Sequence, residues 1–330
     1  KATGVITAGA GVGSSGGTIG FGVKENNFLG RGIEFGSEFK ISKESIRGQL
    51  ALNNPNYQGS NRSLSVTLES TVTDRLKDFG YKSNKTGFGI GSTFEYYDDL
   101  FLTTSVSSYV EDLETDSSAS ANMKKQKGSY FDTFLNYTFN YDKRNEKFKT
   151  SDGYRTKFSQ KIPLISESYT ITNTIDHKIY NEWLNENIAS FSFYASTTNS
   201  LAGKNVKLSD RLFVPQNKLR GFEAGKFGPK DGADYIGGNY LITFNAATTI
   251  PQLFPNLENA DFNIFFDAAN IWGLDYDSSL GQDNRLRSSI GLGVDIYTPI
   301  GPLNFSLTEV ISKDSKDVTE TFRFNLGTTF

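Results

Sequence analysis

Apolar and polar residues alternate along most of this chain of 330 residues. In the segment 33–41, one face would carry Ile33, Phe35, Phe39 and Ile41, and the other face Glu34, Glu38 and Lys40. The same pattern recurs at 137–141 and at 322–330. Alternation with a period of two is typical of β-strands whose two faces meet different surroundings. No helical stripe of useful length interrupts the pattern, so the sequence predicts an all-β fold.

Counting these segments gives about sixteen strands, a number within the range of even-stranded outer-membrane barrels. Their approximate starts are Thr3, Thr18, Ile33, Ile46, Arg62, Lys85, Leu100, Gln126, Tyr154, Ser168, Glu186, Gly238, Asp261, Arg285, Pro302 and Thr319. The segments form one unbroken series from end to end. The sequence therefore predicts a single domain over 1–330, a membrane-spanning antiparallel β-barrel.

The connections between the predicted strands differ in length. Three are typical of tight turns: Gly30-Arg31-Gly32, Asp98-Asp99 and Pro299-Ile300-Gly301. Others are long and polar, at 74–84, 112–127, 199–237 and 273–284. Short periplasmic turns with longer loops on the opposite side are the arrangement of outer-membrane barrels. The connections 142–153 and 251–259 are longer than a periplasmic turn requires.

A soluble β-sandwich would alternate in the same way, because each of its sheets buries one face. The number of strands favours the barrel, since open sheets rarely grow so large. Closure also removes the sheet edges that lipid cannot satisfy. Mean hydropathy is −0.41, and no segment has the roughly 20 mostly apolar residues of a spanning helix. This argues against a helical membrane protein but not against a barrel, which turns only alternate residues toward lipid.

Composition supports strands and excludes several classes of function. The chain has 27 Phe and 16 Tyr against one Met, an aromatic bias that favours β-structure. Its net charge of −3 gives no electrostatic basis for binding nucleic acid. With no cysteine, it has neither a disulfide scaffold nor thiolate metal sites. Residues 1–4 do not resemble a signal peptide, so we expect a mature or truncated sequence.

Two short motifs match patterns found in enzymes. Residues 11–16 fit the G-x-G-x-x-G dinucleotide pattern but lead into an alternating strand instead of a helix. Residues 13–17 fit the G-x-S-x-G nucleophile pattern, which needs a histidine partner and a following helix. The only histidine is His177, beside Asp176 in a strand-like segment. We expect no enzyme activity and interpret His177 as a residue of the barrel wall.

Charged loop segments offer only weak signs of ligand binding. Asp275, Asp277 and Asp283 carry oxygen ligands but lack the spacing of an EF-hand loop. Lys124-Lys125-Gln126-Lys127 could meet lipid phosphates at the outer rim, although such charge runs usually face water. We therefore expect no metal site and no cofactor.

Glycines are concentrated at the start of the chain, with eight between residues 4 and 22. In a closed barrel the first strand pairs with the last, which defines a seam formed by Gly4, Gly9, Gly11, Phe324, Gly327 and Phe330. Glycine weakens strand pairing. It either lets the barrel curve or leaves a seam that opens. An opened seam exposes unsatisfied backbone groups, with which an incoming strand could pair without any need for ATP.

Residues 214–240 form a polar, glycine-rich stretch before a strand that begins near Gly237-Gly238-Asn239. Within it, Leu219-Arg220-Gly221-Phe222 places an arginine between an apolar residue and a Gly-Phe pair. This pattern predicts a loop tip folded back into a cavity, where a cation needs an acidic partner. A solvated arginine on a surface loop is the alternative that the local pattern leaves open.

Several motifs occur together in the order known from one family. They lie at 23–32, 53–57, 214–240, 265–272, 299–303 and 324–330. Together they cover the chain from end to end. On these motifs the chain resembles the barrel domain of the BamA-type outer-membrane assembly proteins.

The resemblance implies a sixteen-stranded barrel preceded by periplasmic POTRA domains, which are expected upstream of residues 1–330. It also implies that Arg220 lies in the lumen against a wall acid, Asp267. Where the family's second wall acid is expected, near the end of the strand after Gly238, this chain has Ala246-Ala247. The loop at 214–240 is also shorter than in many relatives.

The function implied by the resemblance is the folding and insertion of other β-barrel proteins into the bacterial outer membrane, through a lateral seam between the first and last strands. The expected partners are unfolded outer-membrane β-barrel clients, outer-membrane lipids and accessory lipoproteins of an assembly complex. The alternative is transport on the same barrel, as a two-partner-type secretion pore or a porin-like channel.

Overall fold

Sixteen antiparallel strands close into one barrel in the computed structural model. The structure describes residues 4–184, 186–251, 253, 259–277, 279–281, 285–298 and 301–327. The barrel strands are β1 Gly4–Gly13, β2 Gly16–Phe28, β3 Ile33–Ser42, β4 Ser45–Asn54, β5 Arg62–Arg75, β6 Tyr81–Tyr97, β7 Leu100–Thr115, β8 Gly128–Asp142, β9 Gly153–Ile165, β10 Thr170–Leu184, β11 Asn187–Ser200, β14 Tyr240–Pro251, β15 Ala260–Trp272, β16 Arg287–Thr298, β17 Gly301–Ser312 and β18 Phe322–Gly327. Strands β12 Lys230–Asp231 and β13 Asp234–Tyr235 form a separate two-stranded sheet. The predicted all-β antiparallel barrel is confirmed.

Helical segments are short and lie in the connections. They are α1 Leu76–Phe79, α2 Ala121–Lys124 and three 3-10 turns at Tyr57–Gly59, Leu208–Asp210 and Gln216–Lys218. No helix in the described part of the chain is long and apolar enough to cross a membrane. Gly80 ends α1 in the left-handed conformation, with φ of 70°, which glycine adopts without steric cost.

The observed strands begin within a few residues of the predicted starts. Strand β6 begins at Tyr81 instead of Lys85, because the ladder between β5 and β6 continues to the pair Arg75 and Tyr81. Strand β18 begins at Phe322 instead of Thr319, because residues 318–320 bond to the connection 201–239. The predicted start Thr3 and the turn residues Pro299 and Ile300 lie outside the described residues.

Because neighbouring strands are antiparallel, every second connection lies at the same end of the barrel. The connections after β5, β7, β11 and β15 share one end, here called the long-loop end, with the turn between β1 and β2. The predicted tight turns after β2 and β6 lie at the opposite end. The loops predicted at 74–84 and 112–127 are shorter than expected, since the strands beside them extend further.

The alternation of β3 separates the barrel exterior from its lumen. Paired residues of an antiparallel sheet point to the same side, and Phe35 pairs with Leu52 while Phe39 pairs with Gly48. Phe39 is 44% exposed, as expected for a side chain directed to lipid. On the other face, the Glu34 carboxylate accepts a hydrogen bond from Asn53 Nδ2 at 3.2 Å. The apolar residues at 33, 35, 39 and 41 therefore face outward.

The connection between β11 and β14, residues 201–239, folds back into the barrel and is here called the lumenal loop. It packs in two hydrophobic clusters. The first contains Val214, Leu219, Phe222, Phe227, Leu241, Ala269 and Ile271. The second contains Phe79, Tyr81, Leu113, Ala119, Met123, Leu208, Tyr235, Ile236 and Leu274. The core of the protein is thus inside the barrel, and the predicted long loop in the lumen is confirmed.

The two faces of β3 predict different tolerance to charge. Phe39→Arg places a cation on the lipid face and should lower the free energy of unfolding by about 2–4 kcal/mol if the site is near the bilayer centre. Glu38→Arg is the matched control, because Glu38 is adjacent to Phe39 but faces the lumen, and this change should cost much less. Urea unfolding of both variants in lipid vesicles measures the difference, and equal losses would contradict the orientation.

Candidate functional site

The tip of the lumenal loop is held by apolar residues on either side of Arg220. Leu219 and Phe222 are both buried in the first cluster. The Phe222 ring meets the Phe227 ring edge-on, with centroids 5.5 Å apart. The 3-10 turn Gln216–Lys218 precedes them, and the chain is extended again at Leu219. The apolar residues that flank the arginine in sequence therefore fix where its side chain begins.

Arg220 binds Asp267 of β15 through two parallel hydrogen bonds. Arg220 Nε donates to Asp267 Oδ2 at 2.7 Å, and Nη2 donates to Oδ1 at 2.8 Å. The backbone N–H of Arg220 also donates to Oδ2 at 3.1 Å. The Asp267 side chain is fully buried while that of Arg220 is 23% exposed. The guanidinium carbon lies 3.2 Å from the centroid of the Phe265 ring, which adds a cation–π contact.

The neighbouring strands complete the surroundings of this pair. Asn245 of β14 donates from Nδ2 to Asp267 Oδ1 at 2.9 Å and to the Lys218 carbonyl at 2.7 Å. Ser289 of β16 donates to the Arg220 carbonyl at 2.7 Å. Both residues are aligned with Asp267 in the sheet register. Each carboxylate oxygen of Asp267 thus accepts two hydrogen bonds, which compensates for its burial.

Gly221 is the one position of the tip that only glycine suits. Its φ is +87°, a region that residues with a side chain rarely adopt. A Cβ at this position would lie 2.7 Å from Thr308 Cγ2 and 3.2 Å from Val310 Cγ2, both on β17. The tip therefore lies against the wall at a distance that leaves no room for a side chain.

A second group of charges holds the lumenal loop near its start. Lys207 Nζ, which is buried, lies 2.8 Å from Glu111 Oε2 and also binds Asp132 and Asp210. Burial favours a lower pKa of Lys207, but the three carboxylates outweigh it and raise that pKa. For Asp210, burial is outweighed by Lys161, Lys207 and Lys85, and its pKa is lowered. Both groups are therefore charged at neutral pH, and the cluster ties the loop to β7 and β8.

Within the described residues, few pairs join β1 and β18 across the seam. Three described pairs join the two strands: Gly11 with Gly327, Val12 with Leu326 and Gly13 with Asn325. By comparison, ten pairs join β1 to β2. Beyond them, Ser14 donates its N–H to the Phe324 carbonyl at 3.0 Å and its Oγ accepts from the Phe324 N–H at 3.1 Å. A Cβ on Gly13 would lie 2.7 Å from the Phe324 carbonyl oxygen, so the seam closes tightly where it is paired.

Only some of the predicted seam residues pair across the seam in the described part of the chain. Gly11 and Gly327 face each other, and Phe324, three residues earlier on β18, bonds to Ser14. Gly4 pairs with Glu25 and Gly9 with Gly20, both on β2, and neither has a partner on β18 within the described residues. Phe330 lies outside the described residues.

The motifs that resemble enzyme sites do not assemble. Ser15 lies in the turn between β1 and β2 and is bonded to Gln216. His177 lies on β10, where its Nδ1 is 2.8 Å from Thr156 Oγ1. Asp275 binds Arg211 at 2.6 Å, and Asp283 lies outside the described residues. Among the described residues, no group of three or more His, Cys, Asp or Glu side chains could hold a metal ion.

Sequence reasoning missed three residues of the site. Asn245 stands on β14 next to the Ala246-Ala247 pair and donates to Asp267 where a second acid was expected. Phe265 lies under the guanidinium, and Arg323 of β18 donates to two carbonyls of the loop. Alternation could have placed Asn245 and Phe265 on the lumenal face with Asp267. Their alignment depends on strand register, which alternation does not specify.

The chain matches known proteins of one family. The Omp85 superfamily domain matches residues 27–330. The outer membrane protein assembly factor BamA of Neorickettsia risticii is 23% identical over 344 aligned residues, covering 100% of this chain and 45% of that protein. The sorting assembly machinery 50 kDa subunit of Saccharomyces cerevisiae is 24% identical over 224 residues, covering 64% of this chain and 46% of that protein. The chain thus spans about half the length of these two relatives.

A solved structure shows the same fold. The crystal structure of BamA from Haemophilus ducreyi lacking POTRA domains 1–3 matches with a TM-score of 0.91 and 25% sequence identity. The match covers 100% of this chain and 71% of that one. The sixteen-stranded architecture is therefore shared along the whole length of the chain.

The geometry of the tip predicts strong coupling between Arg220 and Asp267. Arg220→Ala should lower the free energy of unfolding by about 3–5 kcal/mol, because it leaves a buried carboxylate without its countercharge. Arg220→Lys should recover little, since an ammonium cannot reproduce the two parallel bonds. Asp267→Ala should cost nearly as much, and the double variant should be less than additive in urea unfolding.

The matched control is Arg47→Ala, which removes the more exposed lumenal pair with Glu69 and should cost far less. If the effects of Arg220→Ala and Asp267→Ala add to within about 0.5 kcal/mol, the two residues do not interact.

Proposed function

The chain belongs to the Omp85 superfamily, and from this premise we propose that it folds and inserts other β-barrel proteins through the seam between β1 and β18. The barrel itself is an outer-membrane barrel of the bacterial cell, like the BamA proteins that it resembles. The observation that carries the proposal is the short ladder of three described pairs at the seam.

The physics of strand edges supports this use of the seam. In hydrocarbon, each unpaired backbone N–H or C=O costs several kcal/mol, so an edge must find a partner. Among the barrel's strand boundaries within the described residues, the seam has the fewest pairs, and so the fewest bonds to break before an edge is free. A client strand can then form the same backbone hydrogen bonds by strand addition. Client pairing replaces the lost bonds, and the exchange needs no nucleotide.

The partners in this proposal are unfolded outer-membrane β-barrel clients, the surrounding lipids and accessory lipoproteins of an assembly complex. Two relatives support it by name, one as an assembly factor and one as a subunit of a sorting and assembly machinery. Periplasmic POTRA domains upstream of the barrel stay a prediction. No enzymatic step is required, since strand exchange makes and breaks only hydrogen bonds.

In this mechanism Arg220 and Asp267 are positioning residues. Their paired hydrogen bonds fix the tip of the lumenal loop against β15. The same tip is bonded to β18 through Arg323. The loop is thereby held close to the strand that must move when the seam opens.

A secretion pore or porin-like channel is less well supported. Such a channel requires a continuous aqueous lumen. Here the lumenal loop carries buried apolar residues, including Leu219, Phe222 and Ile236, into the barrel. Large single-channel conductance in planar bilayers, without assembly of clients, would favour the channel over the proposed function.

Closing the seam covalently tests the mechanism. Val12 and Leu326 are paired across it, and antiparallel pairs at about 4.5–5.5 Å between Cα atoms are within reach of a disulfide. Because the chain has no cysteine, Val12→Cys with Leu326→Cys forms one defined crosslink. The oxidised full-length protein in proteoliposomes should lose client assembly, and reduction should restore it.

The control crosslink joins Leu292→Cys with Leu307→Cys, which are paired between β16 and β17 away from the seam. It should leave assembly unchanged. Undiminished assembly by a fully oxidised seam variant would remove lateral opening from the mechanism.

A further inference from the structure

Residues 216–222 of the lumenal loop, here called the strap, contact both sides of the seam. On the β18 side, Arg323 Nη1 donates to the Gln216 carbonyl at 2.7 Å and Nη2 donates to the Phe222 carbonyl at 2.6 Å. On the β1 side, the Gln216 side-chain amide donates to Ser15 Oγ in the turn between β1 and β2. Gln216 thus bonds to β18 through its carbonyl and to the turn after β1 through its side chain.

Arg323 suits this position for geometric reasons. It is 8% exposed and lies on the lumenal face of β18, where it pairs with Ser306. Its guanidinium group binds two carbonyls at opposite ends of the strap. Glu320 binds the same guanidinium and balances its charge. A lysine carries the same charge but lacks a planar fork that fits two acceptors at once.

The strap also pairs with the segment that leads into β18. Glu320 donates its N–H to the Gly221 carbonyl at 3.0 Å, and the Glu223 N–H, just beyond the strap, donates to the Val318 carbonyl at 3.0 Å. Phe222 and Thr319 form an isolated β-bridge. These bonds extend the contact at the long-loop end, where the seam itself contributes only three described pairs.

At its centre the strap is fixed by Arg220 and Asp267 to the wall at β15, three strands from β18 in the barrel. A shift of the strap must therefore break bonds at three places: on β15, on β18 and at the turn after β1. Conversely, β18 and β1 cannot separate at the long-loop end without breaking either the bonds of β18 to the strap or the bond of Gln216 to Ser15.

We propose that Arg323 is a positioning residue that fastens β18 to the strap, so that the seam stays closed until the strap moves. This inference rests on the proposed function, because it assigns control of the client-binding seam to the lumenal loop. The strap acts as a latch across the long-loop end of the seam. Its release frees the end of β18 for exchange with an incoming strand.

Hydrogen–deuterium exchange of the protein in lipid vesicles, without any client, tests the latch. Arg323→Met should make the backbone amides of β18 and of the facing part of β1 exchange about tenfold faster or more, the effect expected from losing a charge-assisted hydrogen bond. Amides of β6 and β7, which lie far from the seam, should be unchanged. In Arg323→Lys the amides of β18 should still exchange fast, because lysine keeps the charge but cannot form both hydrogen bonds of the guanidinium.

The matched control is Arg144→Met, which removes a partly buried arginine bound to Asp142 at the opposite end of the barrel. It should leave exchange in β18 unchanged. Gln216→Ala removes only the contact with Ser15 and should quicken exchange on the β1 side. If Arg323→Met does not fold, Arg323→Lys and Gln216→Ala are judged by the same criteria.

Unchanged exchange in β18 of a folded Arg323 variant would overturn the latch, as would equal acceleration in β6 and β7. Either result leaves the seam crosslink experiment untouched. Conversely, a crosslinked seam that still assembles clients refutes the proposed function without altering the exchange rates. The two failures are therefore distinguishable.

Discussion

Hydrocarbon offers no hydrogen-bond partner to a strand edge, and this one constraint shapes the whole barrel. Most strand boundaries satisfy it with long ladders, such as the fourteen pairs between β5 and β6. The boundary between β1 and β18 satisfies it with three described pairs and the bonds of Ser14 to Phe324. Within the described residues this boundary has the fewest pairs of any in the barrel. In the proposed function it is the boundary at which a client strand is accepted.

Inside the lumen, buried ion pairs hold the connections against the barrel wall. Arg220 with Asp267, Lys207 with Glu111, and Arg287 with Asp317 are ion pairs with at least one fully or nearly fully buried member. Buried ion pairs add little net stability but are costly to break. They therefore fix where the lumenal loop and the connection before β18 lie, while the two hydrophobic clusters supply the favourable burial.

The loop tip and the seam belong to one connected set of contacts. Gly221 allows the chain to turn sharply against β17. This turn lets Arg220 reach the wall at β15 while the carbonyls of Gln216 and Phe222 face Arg323 of β18. A single short segment thus connects the rigid wall to the weakly paired strand. In the proposed latch, this segment couples a change in the lumen to the seam.

The sequence by itself determined the strands, their approximate starts and the faces they present, because alternation is a local property of each strand. The resemblance to a known family also pointed to Arg220 and Asp267, because both stand in motifs of that family. Only the tertiary structure decided which residues of neighbouring strands are aligned, and hence that Asn245 and Ser289 flank Asp267. Arg323 is 107 residues from Gln216 along the chain and 101 from Phe222. Alternation specifies the face of a strand but neither its register nor the path of a long loop, since both depend on contacts between distant segments.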